Sequence, residues 1–118
     1  MNKLDLMKKK NDSANLLEHS SRIHRNCIRI NVNNGIAHEM KKTEICYRLK
    51  EAGLEFVCEA EFYGKKSGRA DIFILDHEVA LELVDSESEE SIAKKMKKYP
   101  CRIVVMKVDQ AFKEELLC

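Results

Sequence analysis

Two carboxylates interrupt the most apolar part of the sequence, where residues 68–86 run GRADIFILDHEVALELVDS. Asp71 and Glu82 each fall in a run of apolar residues that is typical of a buried strand. An ionised carboxylate loses hydration in such a place, so it persists only when it is paired, hydrogen-bonded or bound to a cation. These two residues are therefore the first candidates for chemistry.

The two carboxylates are predicted to approach each other. Side chains alternate between the faces of a strand, which places Glu82 on the face opposite to Leu81 and Leu83. In a short antiparallel hairpin the start of one strand lies opposite the end of the next, so Asp71 and Glu82 can converge. Two close carboxylates repel each other, and a divalent cation removes that conflict. Mg²⁺ is usually held by one or two carboxylates with waters and phosphate oxygens.

The elements that must position this pair follow from hydrophobic periodicity and from turn residues. Their expected order is a helix over 36–52, a half-buried strand over 54–62, the strands RADIFILD and HEVALELV joined by a tight turn at 76–78, a helix over 87–98, an apolar strand over 101–108 and a short Asp-capped helix over 109–117. This order predicts one α/β domain, with a mixed central sheet of about four strands in an αβββαβ core flanked by helices.

Residues 1–34 form a different region, which is polar and only weakly periodic and ends in the breaker NVNNG. We expect an appendage here, part helical and part irregular, and a single domain over residues 35–118. Residues 1–50 hold 11 basic and 5 acidic side chains, whereas residues 51–118 hold 10 basic and 15 acidic ones. This division is consistent with a basic face beside an acidic pocket or with ordinary solvated charge.

The cysteines and the apolar runs bear on the compartment. The chain has five cysteines and no CxxC pair, which favours reduced thiols in a cytoplasmic setting. No stretch approaches the roughly 20 apolar residues of a membrane span, so no membrane partner is expected. The sequence also has no zinc-ligand spacing, phosphate-cradling glycine loop or nucleophile-elbow serine, and no small organic cofactor is expected.

The carboxylates and the order of the elements together resemble the PD-(D/E)xK nuclease superfamily. Arg69-Ala70-Asp71, ten intervening residues and Glu82 look like its D…E-x-K signature, and the resemblance covers about residues 36–108. With the first helix included, the pattern is similar to that of competence-type CoiA-like nucleases and of small archaeal or viral resolvases. The resemblance implies a restriction-endonuclease-like fold, Mg²⁺ or Mn²⁺ as cofactor, DNA as substrate and a homodimer. It also implies that Asp71, Glu82 and the backbone carbonyl near Leu83 hold the metal.

The chain departs from the signature at the lysine, because Val84 occupies that position. Members of the superfamily carry displaced lysines, and helical phase favours Lys95 first and Lys42 second. The alternative is that each lysine buries its aliphatic stem and keeps its ammonium in water. Glu39 borders the inward face of the first helix and is the candidate for a third carboxylate, whereas Glu44 is expected to face solvent.

Further residues around the pair are candidates for binding nucleic acid. Arg69 and the loop residues Lys65 and Lys66 can contact the DNA backbone, although for the two lysines alone an ordinary solvated loop is the safer interpretation. His38 can contact phosphate or transfer a proton, or can be a hydrogen-bonded residue near a helix start. Tyr99 is expected in the core.

Three functions remain open from the sequence. The first is a metal-dependent nuclease that hydrolyses DNA, in which Asp71 and Glu82 hold the cation. The second is a nuclease-like fold that binds nucleic acid or protein without cleaving it, which Val84 supports. The third is an α/β domain in which Asp71 caps a loop and Glu82 pairs with a lysine.

Overall fold

The computed structural model describes residues 2–64, 68–85, 91, 94 and 99–118. Three α-helices precede the sheet: α1 (Lys3–Ala14), α2 (His19–Arg22) and α3 (Ile36–Glu51). The strands are β1 (Phe56–Ala60), β2 (Ala70–Ile74), β3 (Val79–Val84) and β4 (Arg102–Lys107). Short 3₁₀ helices span Val32–Asn34 and Glu114–Leu117. The helix predicted over 87–98 falls largely outside the described residues.

The four strands form one mixed sheet in the order β1-β2-β3-β4. β1, β2 and β3 are a consecutive antiparallel meander, whereas β4 pairs with β3 in parallel. The predicted α/β domain with a mixed four-stranded sheet is therefore confirmed. The tight turn between β2 and β3 is also present, and Glu78 takes a left-handed backbone there with φ of 53°.

The helix α3 covers one face of this sheet. Its residues Ile45, Cys46 and Leu49 are buried against strand residues that include Phe56 and Leu81. The helix follows Gly35, whose φ of 87° favours glycine, and a second left-handed glycine lies just beyond its end. The predicted bounds of 36–52 therefore agree with α3 to within one residue.

The opposite face of the sheet is covered by the N-terminal region. Ala14 and Leu17 are buried in a second apolar layer with Phe62 and Phe73, whose rings meet edge to face at 5.0 Å. The structure thus differs from the expected appendage, because residues before 34 complete the core. The strand predicted over 54–62 is present as β1, but its predicted half burial is wrong, because this second layer buries every residue of β1.

Main-chain hydrogen bonds tie the N-terminal region to the outer side of β1. The amide of Asn26 donates to the carbonyl of Phe56 at 2.8 Å, and the Asn26 side chain accepts from the Phe56 amide at 3.1 Å. Isolated bridges join Leu17 to Phe62 and Arg25 to Val57. Segments about 40 residues apart in sequence are therefore fixed together.

The C-terminal segment differs from its prediction. Instead of an Asp-capped α-helix over 109–117, the chain makes a turn after β4 and then a four-residue 3₁₀ helix, Glu114–Leu117. Arg102 of β4 donates to the main-chain carbonyls of Leu117 and Cys118, which holds the chain end against the sheet. In the described part of the chain, no helix combines the length and apolarity needed to cross a membrane.

All five cysteines are free thiols. Cys46 of α3 and Cys58 of β1 are buried with their Sγ atoms 3.3 Å apart, whereas Cys27 and Cys118 are exposed. Their mutual hydrogen bond, together with burial, raises the pKa of Cys46. The same contact lowers the pKa of Cys58 against the effect of burial. The buried pair therefore behaves as one unit in the layer beneath α3.

Candidate functional site

A cavity of about 710 Å³ opens where β2 and β3 meet the start of α3. This volume is in the range of small-molecule and substrate sites. The cavity is lined by ionisable side chains from several elements: His38, Arg69, Asp71, Glu82, Asp85 and Tyr99. The sequence therefore brings both candidate carboxylates to the same concave surface.

The local pairing of β2 with β3 explains the position of Asp71. The register continues as far as the pair Ile72 and Leu81, one residue short of Asp71 opposite Glu82. Beyond that pair, the Asp71 carboxylate accepts the backbone N–H of Leu83 at 2.8 Å through Oδ2. Because the Asp71 carboxylate accepts this backbone N–H, it is fixed at the end of the paired region of β2 and β3. Its side chain keeps 9% exposure.

Glu82 is held from the other side of the cavity. The Tyr99 hydroxyl donates to Glu82 Oε1 at 2.7 Å, and the Tyr99 ring packs on Phe62 with centroids 4.9 Å apart. Burial and the neighbouring Glu82 charge raise the pKa of Tyr99, so its hydroxyl keeps the proton that it donates. The expectation that Tyr99 is a core residue is met by its ring, but its hydroxyl belongs to the site.

A chain of charged groups runs from Asp71 into the protein. His38 Nε2 lies 3.3 Å from Asp71 Oδ2, and its Nδ1 lies 2.6 Å from Glu39 Oε2. Lys42 Nζ follows at 2.6 Å from Glu39 Oε1 and at 3.5 Å from Glu59 Oε1. Cations and carboxylates thus alternate over five residues, and each cation contacts two carboxylates.

The pKa values within this chain follow its geometry. Hydrogen bonding to Asp71, with the charges of Asp71 and Glu39, raises the pKa of His38 to about 9 against the effect of burial. Burial disfavours the charged form of Glu39, yet hydrogen bonds from the Asn31 amide, Lys42 and His38 lower its pKa to about 2. Burial also disfavours the Lys42 ammonium, but its bond to Glu39 prevails and its pKa is raised. All three groups are charged at neutral pH.

The backbone of β1 and β2 changes face at this level. Cys58 and Ala60 would share a face in a regular strand, yet Cys58 packs beneath α3 and Ala60 packs in the opposite layer. The change occurs at Glu59, whose φ of 51° is uncommon for a residue with a side chain. This conformation directs the Glu59 carboxylate to Lys42. The alternating pattern of the sequence gives no signal for it.

Lys42 is buried more completely than either sequence interpretation allowed. Its side chain has 0% exposure, so the ammonium does not reach water. It lies beneath the cavity rather than in its lining, bound to Glu39 and Glu59. Lys95, Lys65 and Lys66 lie outside the described residues and stay predictions. Glu44 is 45% exposed and pairs with Lys41, as expected.

The remaining predicted residues are distributed around the rim. Arg69 lines the cavity at 49% exposure and donates to Glu61 at 2.7 Å. Val84, at the position of the motif lysine, is buried in β3. Among the described residues, His38 and Arg69 are therefore the basic side chains that line the cavity. Asp85 also lines it and was missed from the sequence, although it directly follows β3.

The oxygen donors at the cavity determine which cations are chemically compatible with it. Across the described ranges, no group of three or more His, Cys, Asp or Glu side chains is arranged to hold a metal ion. Mg²⁺ requires fewer protein ligands, because it retains several waters and takes one or two carboxylates. Asp71, Glu82 and Leu83 line one cavity and offer oxygen donors only, which suits Mg²⁺ or Mn²⁺ better than zinc.

Comparison with known proteins adds no relative. The chain matches no model of a known protein family. It is also similar to no curated protein and to no solved structure at a significant level. The PD-(D/E)xK assignment therefore remains a resemblance, which depends on Asp71, Glu82 and the order of the elements that carry them.

Proposed function

We propose that this chain is a metal-dependent nuclease that hydrolyses DNA phosphodiester bonds within a restriction-endonuclease-like domain. The observation that supports the proposal most directly is the placement of Asp71 and Glu82. The two carboxylates come from adjacent strands, line one cavity and are each fixed by a hydrogen bond from a neutral donor. These donors orient the two carboxylates at the cavity, where Asp71 also lies 3.3 Å from His38, and carboxylate oxygens are ligands that Mg²⁺ prefers.

The roles of the residues follow from their contacts. Asp71, Glu82 and the Leu83 carbonyl would hold Mg²⁺ or Mn²⁺, which supplies a more acidic bound water and neutralises charge on the scissile phosphate. Tyr99 orients Glu82, and the Leu83 amide orients Asp71. These contacts keep the two carboxylates in place before substrate arrives, which lowers the reorganisation needed for the reaction.

Positive charge at the cavity comes from other residues than the motif lysine. His38 is protonated at neutral pH and lines the cavity, where its two ring nitrogens lie against Asp71 and Glu39, so it adds positive charge to the site while both N–H groups stay with the carboxylates. Arg69 is partly exposed on the rim and suits a phosphate of the flanking backbone. Lys95 remains the candidate for the displaced lysine. A homodimer that presents two sites to two strands belongs to the same proposal, with contacts through β4 or residues 1–34.

A second function is favoured by a specific observation. Val84 replaces the motif lysine, and Lys42 is committed to Glu39 and Glu59 away from the cavity. A nuclease-like domain that binds nucleic acid or protein without cleaving it accounts for both facts. In that case the site carboxylates should tolerate neutral replacements without loss of binding.

A metal and cleavage experiment separates these functions. Mn²⁺ is titrated into the parent protein and into Asp71→Asn and Glu82→Gln variants, and all are incubated with linear, branched and single-stranded DNA. We expect the parent to cut at least one substrate and both variants to lose at least 100-fold in rate, as removal of a principal electrostatic group does. Glu44→Gln is the matched control, because Glu44 is exposed and paired on the far side of α3.

The outcomes are distinct. Cleavage by the parent and the control that disappears in both site variants supports the nuclease. DNA binding without cleavage in all four proteins supports the binding module. Absence of both binding and cleavage contradicts the nuclease and a DNA-binding module, and it leaves Asp71 as a cap for the amide of Leu83.

A further inference from the structure

An exposed apolar turn lies beside the candidate cavity. The rim turn, residues 31–36, contains the 3₁₀ helix and the first residue of α3. Val32 is 87% exposed and Ile36 is 78% exposed, although both are branched aliphatic side chains. With Ile30 and Met40 they also line an apolar groove on the outer side of the turn. Clustered exposed apolar side chains of this kind mark interaction surfaces.

Hydrogen bonds hold the rim turn in its conformation. The Asn31 side chain accepts the Asn33 amide at 3.1 Å, and the Gly35 amide donates to the carbonyl of Val32 at 3.2 Å. From below, Glu39 accepts the Asn31 amide at 2.6 Å. The other carboxylate oxygen of Glu39 accepts a hydrogen bond from the side-chain amide of Asn34 at 3.3 Å. A buried carboxylate therefore fixes the backbone that displays the apolar side chains.

The rim turn is continuous with the cavity. Asn33, Asn34, Gly35 and Ile36 line the same cavity as the two site carboxylates. A substrate phosphate bound at those carboxylates would therefore have this turn beside it. A protein seated on Ile36 would cover the mouth of the cavity and block the substrate. DNA is the occupant that satisfies both surfaces at once.

We propose that the rim turn is a DNA-reading element that enters the minor groove beside the scissile phosphate. The side-chain amide of Asn33 contacts base edges and sugars, and Val32 or Ile36 inserts as a wedge at a base step. Minor-groove proteins use Asn to read the groove and aliphatic side chains to open a step and kink the duplex. This inference rests on the proposed nuclease function and names the surface that selects its substrate.

A wedge predicts a preference for substrates that are easily opened. A mismatch or a flexible pyrimidine–purine step beside the cut lowers the energy of unstacking, so such sites should be cut faster than stiff A-tracts. The preference should depend on Val32 and Ile36, not on the carboxylates that perform the cleavage.

The experiment uses the full chain with Mn²⁺ and duplexes that carry 2-aminopurine at successive steps around the cleavage site. The test variant is the double substitution Val32→Ser and Ile36→Ser. The control is the double substitution Leu4→Ser and Ile23→Ser, at exposed apolar positions away from the cavity. Because all four positions are exposed, thermal unfolding should be unchanged in both variants.

In the parent and the control, binding should raise the fluorescence of 2-aminopurine at one step. The test variant should lose that increase and raise KM at least tenfold, the effect of removing one buried aliphatic contact. A parent that cuts with Asp71 and Glu82 while the test variant keeps both fluorescence and KM overturns the inference and leaves the nuclease intact. A parent protein that neither cuts nor binds DNA contradicts both the DNA-reading role and the proposed nuclease function.

Sedimentation of the same proteins tests the other occupant of this surface. We expect the test variant to keep the oligomeric state of the parent. A parent dimer that becomes a monomer in the test variant but not in the control would show that the apolar turn joins two copies of the chain. That result would overturn the DNA-reading role.

Discussion

Replacement of Lys42 by methionine is expected to destabilise the fold strongly. Methionine keeps the aliphatic stem but removes the ammonium that bridges Glu39 at 2.6 Å and Glu59 at 3.5 Å. Both carboxylates are 6% exposed and would be left without this partner. Breaking a buried ion pair by removal of one member costs about 3–5 kcal/mol, which corresponds to a fall in Tm of about 10–20 °C for a domain of this size.

The assay is urea and thermal unfolding of the parent beside matched variants. Lys41→Met is the control, because Lys41 is one residue away and pairs with the exposed Glu44, a contact worth at most about 0.5 kcal/mol. The triple variant Glu39→Gln, Lys42→Met and Glu59→Gln removes the unpaired charges and should be more stable than Lys42→Met alone. A loss below about 1 kcal/mol in Lys42→Met, equal to that of the control, would refute this account of the buried chain.

The pH dependence has a definite sign. The folded pKa of Glu39 is about 2 and its ordinary value is 4.5, so its ionisation stabilises the fold above pH 4.5. That stability is lost as the pH falls from 4.5 through 2. In Lys42→Met the carboxyl groups can take up protons more readily, and the gap in stability between parent and variant should narrow over the same interval.

Two further predictions test the layers around the sheet. Leu17→Ala should lower the free energy of unfolding by about 2–5 kcal/mol, because Leu17 is 2% exposed. Leu4→Ala, at 76% exposure, should change it by less than about 0.5 kcal/mol. Equal effects of the two substitutions in chemical denaturation would contradict the packing of the N-terminal region. In thiol labelling of the native protein, the exposed Cys27 should react at once, while the buried Cys46 and Cys58 should react only at the rate of unfolding. Mass mapping that finds early labelling of Cys46 or Cys58 would refute their burial.

The parts of the fold that could be predicted are those set by nearby residues. The stripe of Ile45, Cys46 and Leu49 and the glycines around it determine α3 locally. The short turn between β2 and β3 fixes their register, and with it the approach of Asp71 to the level of Glu82. For these features no distant contact had to be known.

The parts that could not be predicted depend on distant contacts or on single backbone angles. Leu17 completes the core only because a strand about 40 residues later offers a second face, and its weak periodicity gives no sign of that partner. Glu59 turns toward α3 through one left-handed residue, which no alternation pattern encodes. The full burial of Lys42 follows from that turn, because Glu59 and Glu39 together replace its hydration.

The hydrogen bonds between the N-terminal region and β1 affect solubility as well as stability. An edge strand otherwise presents unpaired backbone amides and carbonyls, which recruit strands from other molecules. Here Asn26 takes up the donor and the acceptor of Phe56, and Glu18 and Ser21 engage Glu61 further along. Loss of this covering strip by proteolysis would leave an apolar ribbon with open pairing positions, which is a template for aggregation.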